Sequence, residues 1–183
     1  MPSLIPIACF VAAWFLIEYL FVNQLAIAFV PLFVGGFVVW WFTTRRGQVD
    51  PNRIIVPYLL TVILFILHVY EEYHSAYLGY RDIMHGAPLD TSLQQMTIFA
   101  ASLAPILWLL GAVMMVARWN VGYFVVSTFL FGMMFIEPYH FIAPFIPAGG
   151  FQYVGGLFTA GPLVALGWYT FFRVRSELRA ETS

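Results

Sequence analysis

Apolar runs long enough to cross a bilayer return six times along this chain, at 4–22, 24–43, 54–78, 96–117, 121–143 and 153–173. A spanning helix needs about 20 such residues. Lipid offers backbone N–H and C=O groups no partner, so each run must satisfy its own as helix. Charge argues the same way: 9% of the 183 residues are charged and 62% are hydrophobic, where a soluble domain carries about a quarter charged. So little polar surface cannot face water on all sides. The expected architecture is an all-α polytopic membrane protein of six transmembrane helices in a single domain over residues 1–183, since no linker or low-complexity stretch divides it.

The first two runs part only at Asn23-Gln24. As one helix they would reach about 60 Å, twice the hydrocarbon thickness, so residues 1–50 are expected to fold as a tight hairpin beside a four-helix core over 54–175. The start lacks a basic segment and a small-residue cleavage site, so Ile5 onward reads as a retained span. There is no Lys, and the Arg residues orient the chain. Arg45, Arg46 and Arg53 separate spans two and three, Arg118 separates four and five, and Arg173, Arg175 and Arg179 follow span six. Six crossings put those seven on one face, read as cytoplasmic together with both termini, and leave Arg81 on the other. Abundant Arg and Trp without Lys suit a bacterial inner membrane. A net charge of −1 argues against nucleic acid as a partner, and the single Cys9 excludes an internal disulfide and a zinc ribbon.

Most remaining charge lies inside the runs. Span three ends His68-Val-Tyr-Glu71-Glu72-Tyr-His74, span five ends Glu137-Pro-Tyr-His140, and span one carries Glu18. All three run from inside to outside, and rises of about 21–24 Å from their starts place these groups at one height in the outer half of the bilayer. At about 100° per residue, His68, Glu71, Glu72 and His74 share less than half of a helix circumference, and Glu137 and His140 are one turn apart. Ionisable groups in a membrane cost several kcal/mol each on even lenient scales, roughly 2.5–3.5 for a central Asp or Arg, and so mark functional sites. Metal binding, shared protons or a water-filled path could each compensate.

Glu71-x-x-His74 and Glu137-x-x-His140 repeat the spacing of dimetal helical bundles, with Glu72 and Glu18 as possible further carboxylates and His68 as a surplus ligand. One zinc, or a looser two-metal site, also fits. Glu71 can equally serve behind a ligand by holding a His in its tautomer. His74 can be an exposed imidazole near the interface, and Glu18 an acid reaching for the outer surface. His85 and Asp90 read as solvated loop residues, and Gln94-Gln95 as the cap of span four. Tyr70, Tyr73, Tyr77, Tyr139 and Tyr153 read as an interfacial belt, with cavity lining as the alternative. Gly155-Gly156 and Gly161-Pro162 allow a close approach or a break in span six, and the paired methionines read as packing.

His68-x-x-Glu71-Glu72 resembles the motif that names the HXXEE membrane-protein family, over about residues 57–172. The likeness takes in His140 and the stretch Tyr153-Val-Gly-Gly-Leu-Phe-Thr-Ala160, similar to that family's Tyr-x-Pro-Gly-x-x-Thr-Ala segment with Gly155 in place of Pro. It implies a membrane protein and leaves Glu18 outside the shared pattern. His68 and Glu72, four residues apart, also resemble the pair with which emopamil-binding sterol isomerases move protons without metal. Intramembrane prenyl-protein endopeptidases likewise pair adjacent glutamates with histidines, but with an Arg absent from Glu71-Glu72-Tyr-His-Ser-Ala-Tyr77.

Three functions are open on these residues. The first is a metal-dependent membrane enzyme for a lipid or isoprenoid-like substrate. There His68 and His140, with Glu71, Glu72, Glu137 or His74, hold zinc or iron, and one of Glu71, Glu72 and Glu137 is the general base. The second is a metal-free isomerase or cyclase with Glu72 or Glu137 as proton donor and Trp108 steadying cationic charge. The third is a transporter or receptor whose carboxylates bind a cation or an amine.

Overall fold

A computed structural model describes residues 4–22, 26–27, 29–45, 49–83, 91–146, 150–151 and 153–180, with backbone alone at 22, 73, 75–83, 91–98, 100 and 179–180. All regular structure among them is helical. Helix α1 is Ile5–Val22, α2 Val30–Phe42, α3 Pro51–Ile83, α4 Thr91–Val116, α5 Asn120–Phe145 and α6 Leu157–Ala180. Two segments, Pro51–Glu72 of α3 and the whole of α5, are long and apolar enough to cross a membrane.

Several boundaries differ from the hydropathy reading, and the residues at them explain why. In the second run the α-helix begins at Val30, and Pro31 occupies its first turn with φ already set. Its thirteen residues rise about 20 Å. Asn23 and Gln24 lie outside the described residues. Helix α3 starts earlier than expected, at Pro51, because Asp50 accepts from the backbone N–H of Asn52 (3.2 Å) and caps the turn. The last helix starts four residues later than expected, because Gly156 adopts φ +87°, which breaks the backbone before Leu157.

Helix α5 forms the centre and packs against α2 and α4, while α3 lies between α4 and α6. Two glycines let α2 come close to α5. A Cβ on Gly36 would come within 2.4 Å of Thr128 Cα, and one on Gly35 within 2.2 Å of the Phe131 ring. Phe129 fills the interior, ringed by Tyr58, Phe65 and Trp108 at centroid distances of 5.5, 5.7 and 5.1 Å. Within this core the Tyr58 hydroxyl donates to the Trp108 carbonyl at 2.8 Å.

One end of the bundle gathers arginine. Arg53 pairs with Glu177 (2.9 Å) and Asp50 (3.8 Å), Arg118 reaches Asp50 at 4.0 Å, and Arg45 lies over the Trp41 ring. These contacts tie the α2–α3 junction, the α4–α5 junction and the far end of α6 to one level. Between the ends, large apolar side chains such as Leu20, Phe42, Val56, Val113 and Phe172 point outward.

Candidate metal centre

The site forms where α3 and α5 approach at the end away from the arginines. His68 and Glu72 are one turn apart on α3 and face inward together. Glu137 is aimed by an irregular turn in α5. Pro138 has no N–H and its ring would crowd the preceding helical carbonyl, and the turn before it widens. Residues Gly132–Ile136 form a π-helix, and the Glu137 N–H donates to the Gly132 carbonyl five residues back, at 3.1 Å. Beyond Pro138 the short helix Tyr139–Ile142 brings His140 to the same place, its N–H on the Glu137 carbonyl at 3.1 Å.

Four side chains converge. His68 Nε2 is 2.9 Å from Glu137 Oε2 and 3.7 Å from Glu72 Oε1, and His140 Nε2 is 3.2 Å from Glu72 Oε1 and 3.4 Å from Glu137 Oε2. The imidazoles meet edge to face, with centroids 4.6 Å apart. Ligating atoms of His68, Glu72 and His140 lie within 4.8 Å of one another, a group able to hold a metal ion. His68 is 1% exposed, whereas the Glu72 side chain is 39% exposed, so the group opens on the Glu72 side. His68 Nε2 makes no hydrogen bond despite the carboxylate oxygens beside it.

Other residues of the expected constellation sit elsewhere. Glu71 turns to α6 and accepts at Oε1 from Tyr153 Oη (2.5 Å) and the Phe158 N–H (3.1 Å). At Oε2 it accepts from the Thr159 N–H (3.0 Å) and Thr159 Oγ1 (2.5 Å). His74 is exposed and stacks on Tyr70. Glu18 is 1% exposed rather than at a surface, and accepts from Trp14 Nε1 at 2.8 Å on a helix that packs against α4 and α5. Trp108 is buried against Phe129. His85 and Asp90 lie outside the described residues, as do the side chains of Gln94, Gln95, Tyr73 and Tyr77.

Two contributors have weak signals in sequence. Thr159 touches both His68 and Glu71, and in sequence it stands only as the Thr of the Tyr-x-Pro-Gly-x-x-Thr-Ala resemblance, with no role attached. Gly156 carries its backbone across the site, where a Cβ would lie 2.5 Å from His68 Cε1 and 3.0 Å from both Glu72 Cγ and His140 Cε1. The glycine pair reads in sequence as a packing or breaking device, without its target.

No family model, curated protein or solved structure matches this chain. The likeness to the HXXEE family therefore rests on the residues quoted for it.

Proposed function

We propose that this protein is an integral membrane metalloenzyme whose divalent ion, zinc or iron, is held by His68, Glu72 and His140 and which acts on a lipid or isoprenoid-like substrate. The observation that carries the reading is the convergence of those three ligating groups from two helices. His68 Nε2 supports it: the buried nitrogen lies 3.7 and 2.9 Å from Glu72 and Glu137 oxygens without hydrogen-bond geometry to either. Three protein ligands with a position to spare is the pattern of catalytic rather than structural zinc. A bound ion would supply Lewis acidity and an activated water. Glu137, which touches both imidazoles, is placed to take a proton from a group bound there. Outward apolar side chains along the helices favour a substrate that arrives through lipid.

The same reading places six crossings in the membrane, with both termini and the arginine-bearing end on the cytoplasmic side, in a bacterial inner membrane. The clustering of Arg45, Arg53 and Arg118 with the far end of α6 supports it. The resemblance to the HXXEE family points the same way.

The test is zinc uptake by chelator-stripped protein, measured by competition with a chromogenic chelator. Wild type takes up one zinc per chain, Glu72→Gln weakens binding by at least the roughly tenfold that loss of even a partner behind a ligand costs, and Glu137→Gln keeps the metal. Undiminished binding in Glu72→Gln would refute the ligand set. A second reading is favoured by the 2.9 Å contact of His68 Nε2 with Glu137 Oε2, the shortest in the group. In it the two form a metal-free acid–base pair for isomerisation or cyclisation, and activity survives chelation.

A further inference from the structure

The adjacent acids Glu71 and Glu72 do different things, and the difference bears on which nitrogen of His68 is free. Four donors converge on Glu71, two at each oxygen, and two of them are backbone N–H groups of the first turn of α6. A helix N-terminus suits a carboxylate, and Glu71 acts there as an acceptor. Thr159 Oγ1 has one proton to give. Glu71 Oε2 lies 2.5 Å away and the competing Gly156 carbonyl 3.4 Å, so the proton goes to Glu71. The hydroxyl oxygen then presents lone pairs to His68 Nδ1 at 2.9 Å. A neutral imidazole carries one N–H, and here it is on Nδ1.

We infer that Thr159, backed by Glu71, is a positioning residue that fixes His68 in the Nδ1–H tautomer and leaves Nε2 without a proton beside Glu72, Glu137 and His140. With the imidazole N–H committed to Thr159, Nε2 is the nitrogen left facing the carboxylates, 2.9 Å from Glu137 Oε2 and 3.7 Å from Glu72 Oε1. The chain Glu71–Thr159–His68 also links the ligand to the start of α6, so the docking of that helix and the readiness of the site are one arrangement. The tautomer stands on these contacts alone, whereas its effect on metal affinity rests on the proposed metal centre.

A purely structural role for Glu71, anchoring α6, predicts a different result. Thr159→Val separates the two, because it removes the hydroxyl yet keeps both backbone N–H groups on Glu71. The experiment is ¹⁵N-histidine NMR of the full-length, metal-free protein in micelles at alkaline pH, with His68 assigned by comparison with His68→Ala. Zinc affinity is measured on the same samples. Wild type should show protonated Nδ1 and bare Nε2 at His68. Thr159→Val should lose that signature and bind zinc about 10–100-fold more weakly, the usual effect of removing a partner behind a ligand, and Thr159→Ser should restore both. Wild-type His68 protonated at Nε2, or a signature unchanged in Thr159→Val, would overturn the inference. If wild type shows the expected tautomer but takes up no zinc, the metal centre fails and the positioning role stands.

Discussion

Gly156 has no room for a side chain and no backbone conformation that would welcome one. Its φ is +87°, and a Cβ would press on both imidazoles and Glu72 together. Gly156→Ala should therefore cost at least about 2 kcal/mol from backbone strain and crowding and weaken zinc binding with it. Thermal unfolding and zinc titration check the pair, and a variant with wild-type affinity would contradict the placement of this turn over the site. Glu18 gives a contrasting case. It is buried with one oxygen on Trp14 Nε1 and the other without a hydrogen bond. Glu18→Gln can keep the Trp14 bond and should change stability by less than about 1 kcal/mol, whereas Glu18→Ala strands a buried indole N–H and should cost about 2–4 kcal/mol. Equal losses would show that the Trp14 bond contributes nothing. Neither variant should alter zinc binding, because Glu18 is not among the converging residues. His68, Glu72, Glu137 and His140 were legible in sequence because ionisable groups in apolar runs stand out and helical spacing puts them on one side. Glu71 and His74 carry the same signal yet point elsewhere, since spacing on one helix does not say which neighbour packs against it.

At the scale of the helices, the departures from regularity deliver the site. The π turn at Gly132–Ile136 resets the angle of Glu137, and hydropathy is blind to such a turn because the residues stay apolar. Pro138 is the visible sign, and a proline alone does not say whether the helix kinks or widens before it. Residues 1–50 contain α1 and α2, and of these α2 packs closely on α5 through Gly35 and Gly36. Gly36→Leu would drive a side chain into the backbone at Thr128 and should lower thermal stability by at least about 2 kcal/mol. Zinc binding should persist, because every residue placed at the metal belongs to α3 or α5. Loss of the metal in a folded Gly36→Leu protein would show that the hairpin and the site are not separable. Helix α2 is shorter than the apolar run that contains it, because such a run does not reveal where Pro31 will start the helix.

For the molecule as a whole, the arrangement has an arginine-bearing end, an apolar flank and a polar group buried near the other end. Topology can be read directly in a Cys9→Ser background with single cysteines at positions 45, 118 and 176. An impermeant maleimide should label all three from the cytoplasmic side of oriented vesicles, and labelling of one from the opposite side would break the six-span arrangement. Composition made the helical class plain, because nothing but helix suits so apolar a chain outside a closed barrel. The convergence of α3 and α5 was only implied, since a common depth does not fix azimuth. The most direct measurement is elemental analysis of untagged, detergent-purified protein beside the His68→Ala/His140→Ala double variant. Near-stoichiometric zinc or iron that disappears in the variant is the predicted result. Protein that holds no metal when purified without chelator, and takes up neither zinc nor iron when they are added, would contradict the metal centre.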